Sequence, residues 1–456
     1  MASNQVASRL LAQRVLLLLL LFPAASVPPS AYAQASTVTV YRGATLIDGI
    51  HPEARKDVSI VVRGERIEAV EPASEPAPAG STVVDATGLF VLPGLINTHV
   101  HIATDTTRAE ALALMRRDLY SGVTAERDMA GDTRQLAELA RVSLLGEVPG
   151  PDIYYAALMA GPSFFDDPRT HAAARGAVAG DVPWMKAVTA QTDLHTAVAE
   201  AHGTGATAIK IYADLPPELV TAITEEAHRQ GMRVWAHATV FPASALQVVD
   251  AGVDSVSHAA MLAIAHPPET YAASHKHPAA EEMYTGGLGA PLAAVLGEMK
   301  RHNTILDATL VIYRPREAGS PKPAQANAVD TLDIAARATH AAYEAGVPIS
   351  TGTDTEDEDN KEWSPLRDEL TLLEEKAGMR PADVIRSATA VGARVLGQEK
   401  EMGTVEAGKL ADLVFLEENP LDGAQAFSAV VLTVKRGKPY WRKDFSPAEA
   451  SGTGSK

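Results

Sequence analysis

Apolar and polar residues alternate in short runs at both ends of this chain. Near the N terminus the runs include "TVTVYRGATLIDG", "DVSIVVRGERIEAV" and "STVVDATGLFVL". Near the C terminus, "GTVEAGKLADLVFLEE" and "FSAVVLTVKRGKPYW" have the same character. Alternation with a period of two residues predicts β-strands that are buried on one face. We therefore expect a small β-sandwich domain built from residues 34–92 and 401–456.

The middle of the chain, residues 93–400, has a different pattern, because strand-like segments alternate there with helical ones. The eight strand-like segments are "LINTHVHI", "VTAERDM", "DIYYAAL", "AIKIYA", "RVWAHA", "DSVSHA", "TILDATLV" and "VPISTGTD". This order predicts an α/β fold, a parallel (β/α)8 TIM barrel. An open doubly wound sheet is the alternative, although the chain lacks a glycine-rich dinucleotide fingerprint. Two connections, at about 159–193 and 261–288, are long enough to be lids.

The first 33 residues have the pattern of a secretory signal peptide. Arg9 and Arg14 precede the apolar run "VLLLLLLFPAA", and an A-x-A cleavage site ends at Ala33. An uncleaved membrane anchor is the alternative, but the apolar run is too short to span a bilayer. We expect cleavage after Ala33 and a mature protein that is periplasmic or secreted.

The net charge and the cysteine content limit the classes of binding partner that this chain can have. The chain has 40 basic and 57 acidic residues, and removal of Arg9 and Arg14 with the leader takes its net charge from −17 to −19. Such a surface repels nucleic acid and anionic membranes, so neither is an expected partner. The chain has no cysteine, which excludes disulfides and a lipid anchor on an N-terminal cysteine. A small-molecule substrate is expected, and homo-oligomerisation is compatible with the sequence.

Ionisable side chains follow one another at the carboxyl ends of the predicted strands, where barrel enzymes carry their chemistry. His99 and His101 share one face of the first strand, because side chains alternate along it. The later strands contribute Lys210, His237, His258 and Asp354. A lone histidine at a strand end is usually a satisfied polar group. Four histidines and an aspartate at the same end are the ligands that zinc and similar ions prefer, and they predict a metal centre.

Lys210 does not fit a metal centre as an ammonium, because its charge would repel the ions. Burial lowers the pKa of a lysine, and the free amine can then take up carbon dioxide. The resulting carbamate offers two oxygens, enough to bridge two metal ions. The alternative is that Lys210 is a structural ion-pair partner.

Several segments together resemble the amidohydrolase superfamily. They are "LPGLINTHVH", "GVTAERDM", "IKIYAD", "VWAHA", "GVDSVSHA", "STGTD", "SATAVGARVLG" and "GTVEAGKLADLVFL", which span almost the whole mature chain. The resemblance is to the binuclear subgroup with a carboxylated lysine. Within it, the chain is similar to the imidazolonepropionase-like and prolidase-like branch, which includes secreted dipeptidases and ochratoxin-hydrolysing amidases.

The resemblance implies a role for each residue. Two divalent metal ions, expected to be zinc, would be bridged by the carbon dioxide adduct of Lys210. The residues that would hold the more buried ion are His99, His101 and Asp354, and those for the more exposed ion are His237 and His258. A hydroxide shared by the metals is the expected nucleophile, and Asp354 would be the catalytic group that moves its proton. The chain departs from the resemblance in "SHAAML", where a glycine is expected after His258.

Tyr212 and Tyr313 are weaker candidates for substrate contacts, since each stands close in sequence to a strand end. Taken together, these features predict an exported metal-dependent amidohydrolase that cleaves a dipeptide or an N-acyl amino acid. A deaminase or cyclic-amidine hydrolase is the first alternative, although such relatives usually carry one metal and no lysine bridge. A lactone or phosphotriester hydrolase and a scaffold protein without enzymatic activity are the others.

Overall fold

The computed structural model describes residues 37–104, 106–272, 280–314, 330–355 and 362–447. The predicted leader, residues 1–33, lies outside these ranges. Within them, no helix is long and apolar enough to cross a membrane.

The strands in chain order are β1 (Val38–Leu46), β2 (Arg55–Arg63), β3 (Arg66–Pro72), β4 (Thr82–Asp85), β5 (Phe90–Pro93), β6 (Leu95–Val100), β7 (Val123–Asp128), β8 (Asp152–Ala160), β9 (Asp181–Val182), β10 (Met185–Ala187), β11 (Ala208–Ile211), β12 (Arg233–His237), β13 (Ser255–Ser257), β14 (Ile305–Asp307), β15 (Ile349–Ser350), β16 (Leu413–Leu416), β17 (Val430–Lys435) and β18 (Lys438–Trp441).

The α-helices are α1 (Arg108–Tyr120), α2 (Thr133–Leu144), α3 (Pro168–Ala174), α4 (Leu194–Gly203), α5 (Pro217–Arg229), α6 (Ala245–Asp250), α7 (Ala259–Leu262), α8 (Ala280–Tyr284), α9 (Ala290–His302), α10 (Thr331–Glu344), α11 (Leu366–Glu375), α12 (Pro381–Arg386) and α13 (Gly392–Leu396). Short 3-10 helices lie at Pro162–Asp166, Leu310–Tyr313, Ala424–Ser428 and Arg442–Asp444, and a π-helical turn at Ser387–Val391.

Strands from both termini form one mixed sheet. Its eight strands run in the order β18-β17-β16-β5-β1-β2-β3, with β4 beside β1. The alternating apolar residues of these strands face a common core that contains Tyr41, Ile60, Phe415 and Val434. The predicted domain built from the two ends of the chain is therefore confirmed.

The middle of the chain forms the predicted (β/α)8 barrel. Its parallel strands follow the order β6-β7-β8-β11-β12-β13-β14-β15. The ring closes where the backbone amide of Thr98 donates to the carbonyl oxygen of Thr351 at 2.8 Å. The amide of Asp354 likewise donates to the carbonyl oxygen of His99 at 2.9 Å. The open-sheet alternative is wrong, since the first and last strands are joined.

Local sequence signals explain where the barrel helices begin and end. Thr107 and Glu110 cap α1 reciprocally, because each side chain accepts from the backbone amide of the other. The chain leaves that helix through Gly122, whose φ of +98° lies in a region that favours glycine. Pro217 stands at the first position of α5, where its missing N–H is harmless.

The two long connections contain structure of their own. The first holds a 3-10 helix, α3, and the strands β9 and β10, of which β10 pairs in parallel with β8. The second holds α7 and α8, while residues 273–279 lie outside the described ranges. Short elements of this kind are missed by periodicity, because two or three residues cannot show a pattern.

A buried ionic cluster joins the terminal sheet to the amino ends of the barrel strands. Lys435 Nζ lies 2.7 Å from Asp152 Oδ1 and donates to the carbonyl oxygen of Ser143 at 2.9 Å. Arg436 Nε donates to Asp152 Oδ2 at 2.7 Å, and its backbone amide donates to Asp412 Oδ1 at 2.7 Å. We call Asp152, Asp412, Lys435 and Arg436 the seam cluster.

Candidate metal centre

The barrel brings the sequence-predicted ligands together at the carboxyl ends of its strands. His99 Nε2 lies 3.3 Å and His101 Nε2 lies 3.1 Å from Asp354 Oδ1. One donor atom from each of these three residues lies within 4.8 Å of the other two. Because they come from the first and last strands, barrel closure is what assembles this group.

The other two histidines lie beside that group. The ring centroid of His258 is 5.1 Å from that of His99 and 4.7 Å from that of His237. His258 Nδ1 lies 3.0 Å from Thr309 Oγ1, which leaves its Nε2 as the nitrogen available to another partner. His237 Nδ1 is buried and has no hydrogen-bond partner among the described residues.

Lys210 is fully buried, and its Nζ also lacks a hydrogen-bond partner in the described part of the chain. Burial, and then the charge of nearby Arg127, lowers the pKa of Lys210 to about 7. A large share of its side chains would therefore be free amine near neutral pH. The ion-pair alternative finds no hydrogen-bonded acidic partner for Nζ within the described ranges.

The electrostatics favour the forms that bind cations. Burial lowers the pKa of His258 to about 3 and that of His237 well below its usual value, so both rings are neutral at pH 7. Burial opposes ionisation of Asp354, but the adjacent His99 and His101 outweigh it and hold its pKa well below the usual range. Neutral imidazoles with an ionised carboxylate are a donor set that suits zinc.

The sequence analysis missed a second carboxylate, Asp307 at the end of β14. Its Oδ2 lies 2.7 Å from His99 Nδ1 and accepts from Arg127 Nη2 at 2.8 Å. Burial opposes its ionisation, but the Arg127 guanidinium and His99 lower its pKa to about 2. The only signal in the sequence was an aspartate after two apolar residues of a strand. Arg127 gave a similar signal, since it is a charged residue inside the strand-like segment "VTAERDM".

The two tyrosines lie at the edge of the centre. The Tyr212 ring packs 4.0 Å from the His237 ring and 4.4 Å from the Phe164 ring, measured between centroids. Tyr313 is half-buried in the 3-10 helix after β14, and burial raises its pKa well above the usual value. Both residues stay predictions as substrate contacts, as do the six proposed ligands in their roles.

Strained backbone conformations cluster at the carboxyl ends of the barrel strands, around the candidate metal centre. Six residues other than glycine adopt positive φ values within four positions after the carboxyl end of a barrel strand, and they are Ala130 (95°), Asp214 (58°), Phe241 (50°), His258 (76°), Thr309 (52°) and Asp354 (49°). Such conformations cost about 1–3 kcal/mol each and cluster at functional sites. The unexpected "SHAAML" segment fits this picture, because His258 itself turns the chain and α7 follows directly.

Asp214 ties both long connections to the barrel. Its Oδ2 accepts from Ser163 Oγ at 2.8 Å, and its Oδ1 accepts from the backbone amide of Tyr271 at 2.6 Å. Ser163 belongs to the first connection and Tyr271 to the second. The Tyr271 ring lies 5.6 Å from the Tyr212 ring, so the two segments meet beside the metal centre.

The chain is thus a (β/α)8 protein with a cluster of histidines and carboxylates that could hold a metal ion at the carboxyl end of the barrel. The chain belongs to the amidohydrolase family, whose model matches residues 90–440. The sequence-based recognition of the superfamily is thereby confirmed.

Individual relatives agree with that assignment. A segment of 112 residues is 36% identical to an imidazolonepropionase of Micrococcus luteus, covering 23% of this chain and 28% of that protein. A Xaa-Pro dipeptidase with bound methionine superposes with a TM-score of 0.71 at 22% identity, covering 89% of this chain and all of that one. The ochratoxinase of A. niger gives 0.69 at 24% identity, covering 90% and 97%. At these identities the structural likeness speaks for the fold alone.

Proposed function

We propose that the protein is an exported, metal-dependent amidohydrolase that cleaves the amide bond of a dipeptide or an N-acyl amino acid. The observation that carries this proposal is Lys210, a fully buried amine without a hydrogen-bond partner among the described residues. An unpaired buried amine is costly, so its presence close enough to His237 and His258 to lower their pKa values calls for a use.

The residues present fit two divalent cations, zinc being the expected ion. His99, His101 and Asp354 would hold one, and His237 and His258 the other. Lys210 would join them after its amine nitrogen bonds to the carbon of carbon dioxide and releases one proton, which yields a carbamate anion. When bound, the cations would polarise a carbonyl group and lower the pKa of water.

Asp354 is suited to carry the proton of the reaction. Its ionised carboxylate has Oδ1 close to Nε2 of His99 and of His101, and its side chain is still 20% exposed. It can accept a proton from the attacking water and pass it to the leaving amine. The carbon–nitrogen bond breaks, and the products are a carboxylic acid and an amine.

A deaminase or cyclic-amidine hydrolase is the second candidate. It is favoured by the curated relatives, which include imidazolonepropionases and an adenine deaminase of Bradyrhizobium that is 31% identical over 87 residues. Each alignment covers only a minor part of the relative. Against it stands Lys210, because a site for one metal has no use for a bridging lysine. Lactones and phosphotriesters are further substrates that such a centre could hydrolyse.

The test is a substrate screen by mass spectrometry on protein stripped with a chelator and then supplied with zinc, cobalt or manganese. Dipeptides, N-acyl amino acids, lactones and amino-heterocycles would be offered. Splitting of an amide into acid and amine, dependent on added metal, supports the proposal. Release of ammonia would point to the second candidate, and activity indifferent to prolonged chelation would contradict both.

Export is a separate part of the proposal, supported by the pattern of residues 1–33. The native organism should yield a mature chain that begins at Gln34, as measured by N-terminal sequencing. A periplasmic or secreted location would accompany it. A chain that keeps its first 33 residues would contradict this part and leave the enzymatic proposal intact.

A further inference from the structure

Two fully buried charged residues lie inside the barrel directly against the metal centre. Arg127 and Asp307 both have no solvent exposure. They are joined at 2.8 Å from Arg127 Nη2 to Asp307 Oδ2. We propose that Asp307 is a positioning residue for His99, and that Arg127 holds Asp307 in that task. The inference rests on the proposed metal-binding role of His99.

The contact with His99 determines which ring nitrogen is free. An Asp307 carboxylate 2.7 Å from His99 Nδ1 can only accept, so Nδ1 carries the hydrogen. Nε2, which faces Asp354 at 3.3 Å, is then the nitrogen whose lone pair a bound cation would take. Metal-binding histidines commonly donate their other nitrogen to a carboxylate in this way, which fixes ring orientation and tautomer.

The surrounding donors keep Asp307 in place. Its Oδ2 accepts from Ser257 Oγ at 2.9 Å as well as from Arg127, and its Oδ1 accepts from Thr98 Oγ1 at 2.9 Å. With both oxygens occupied, Asp307 is held on His99 Nδ1 and is not free to turn toward a cation.

Arg127 is itself fixed from three sides. Its Nη1 donates to Ser255 Oγ at 2.8 Å, and its Nε donates to the carbonyl oxygen of Thr98. Its guanidinium carbon lies 4.8 Å from the centroid of the Trp235 ring. Residues of β6, β12 and β13 therefore fix the Arg127 side chain, which in turn contacts Asp307.

Gly352, which follows the last barrel strand, is independent evidence for the close contact of Asp307 with His99. A Cβ at Gly352 would lie 2.1 Å from Asp307 Oδ1 and 2.5 Å from His99 Cβ. Any side chain there would separate or displace the pair. The glycine of the "STGTD" segment is thus explained by the approach of Asp307 to His99.

A buried ion pair could instead serve only the stability of the barrel, and a double-mutant cycle separates the two roles. Asp307→Asn leaves the Arg127 charge uncompensated and should destabilise the protein. Asp307→Asn combined with Arg127→Met removes both charges and should recover much of that stability. If Asp307 positions His99, the double variant should still bind metal poorly.

The measurement is zinc affinity and stoichiometry in competition with a chelator, together with NMR of ¹⁵N-histidine in the zinc-loaded protein. We expect the double variant to lose about ten- to a hundred-fold in affinity for one of two ions. The His99 signals should shift from the Nδ1–H tautomer toward a mixture. Wild-type affinity and an unchanged tautomer in a folded double variant would overturn the inference.

If the Asp307 and Arg127 variants do not fold, Ser257→Ala provides a second test. It removes the hydrogen bond from Ser257 Oγ to Asp307 and no charge. We expect a several-fold loss of affinity for one ion, and full affinity with an unchanged tautomer would count against the inference. Gly297→Ala is the control, since a Cβ there meets no atom within 4 Å. If wild-type protein binds no metal at all, the proposed function fails first.

Discussion

The two ends of the barrel each bury a lysine, and they treat it in opposite ways. In the seam cluster, Lys435 Nζ lies 2.7 Å from Asp152 Oδ1 and also donates to Ser143. At the carboxyl end, Lys210 Nζ has no hydrogen-bond partner among the described residues. Neither side chain is more than 4% exposed.

The difference in hydrogen bonding between Lys435 and Lys210 distinguishes a buried charge that stabilises the fold from one that is proposed to react. A buried charge that is paired and hydrogen-bonded can be tolerated, whereas an unpaired one costs several kcal/mol and tends to lose its proton. Lys435 in the seam cluster follows the first pattern, and Lys210 follows the second. The absence of a hydrogen-bond partner for Lys210 Nζ among the described residues supports its proposed reaction with carbon dioxide, and barrels carry function at the carboxyl ends of their strands.

The largest expected effect comes from matched substitutions of the two lysines by methionine, which keeps the apolar stem. Lys210→Met should abolish binding of at least one metal ion and lower turnover by about three orders of magnitude or more, because no carbamate can form. Its stability should stay within about 1 kcal/mol of wild type or rise, since the amine made no hydrogen bond. Metal analysis and thermal unfolding measure both quantities.

Lys435→Met should do the reverse. It leaves Asp152 with one fewer cation in a buried cluster, so we expect a loss of about 3–5 kcal/mol with metal content unchanged. Equal effects of the two substitutions on stability, or full activity of Lys210→Met, would remove the distinction between the two ends.

The next largest effect is expected from a substitution of Asp354 in the candidate metal centre. Asp354→Asn removes the charge that would accept the proton and should lower turnover by about 10²–10⁴-fold. Circular dichroism should show an unchanged fold, because the backbone contact of Asp354 with His99 does not involve its side chain. An unaltered rate would withdraw the role of Asp354 as the base.

The smallest effect is a pH dependence at the seam cluster. Burial, and then the charge of Asp152, raises the pKa of Asp412 to about 7, far above its usual value near 4. Between these values the folded protein holds a proton that the unfolded chain has released, so stability falls as pH rises from about 4 to 7. Asp412→Asn should match wild type near pH 4.

By pH 8 the Asp412→Asn protein should be more stable than wild type by on the order of 1–3 kcal/mol. Urea unfolding at three pH values measures the trend. The exposed Asp422→Asn is the control and should follow wild type throughout. A difference that does not change with pH would mean that Asp412 keeps its ordinary pKa in the fold.

Much of the barrel fold could be predicted, because its strands lie in apolar segments that alternate with helical ones along the sequence. The histidines and Asp354 were found because metal ligands are unusual residue types at strand ends. Asp307 was missed, since one aspartate inside "TILDATLV" is a weak signal until the fold places it against His99. Its partner Arg127 was missed for the same reason, because burial of a charge is invisible in sequence.

The link between the first and last barrel strands has a consequence for biosynthesis. His99 and Asp354 share one backbone hydrogen bond, yet nearly the whole barrel sequence separates them. An N-terminal fragment that ends before Asp354 lacks one of the proposed ligands, so on the proposed function binding of the more buried metal ion would follow synthesis of nearly the whole barrel. A cation can then stabilise the finished fold by mass action, but it cannot guide the early steps of folding.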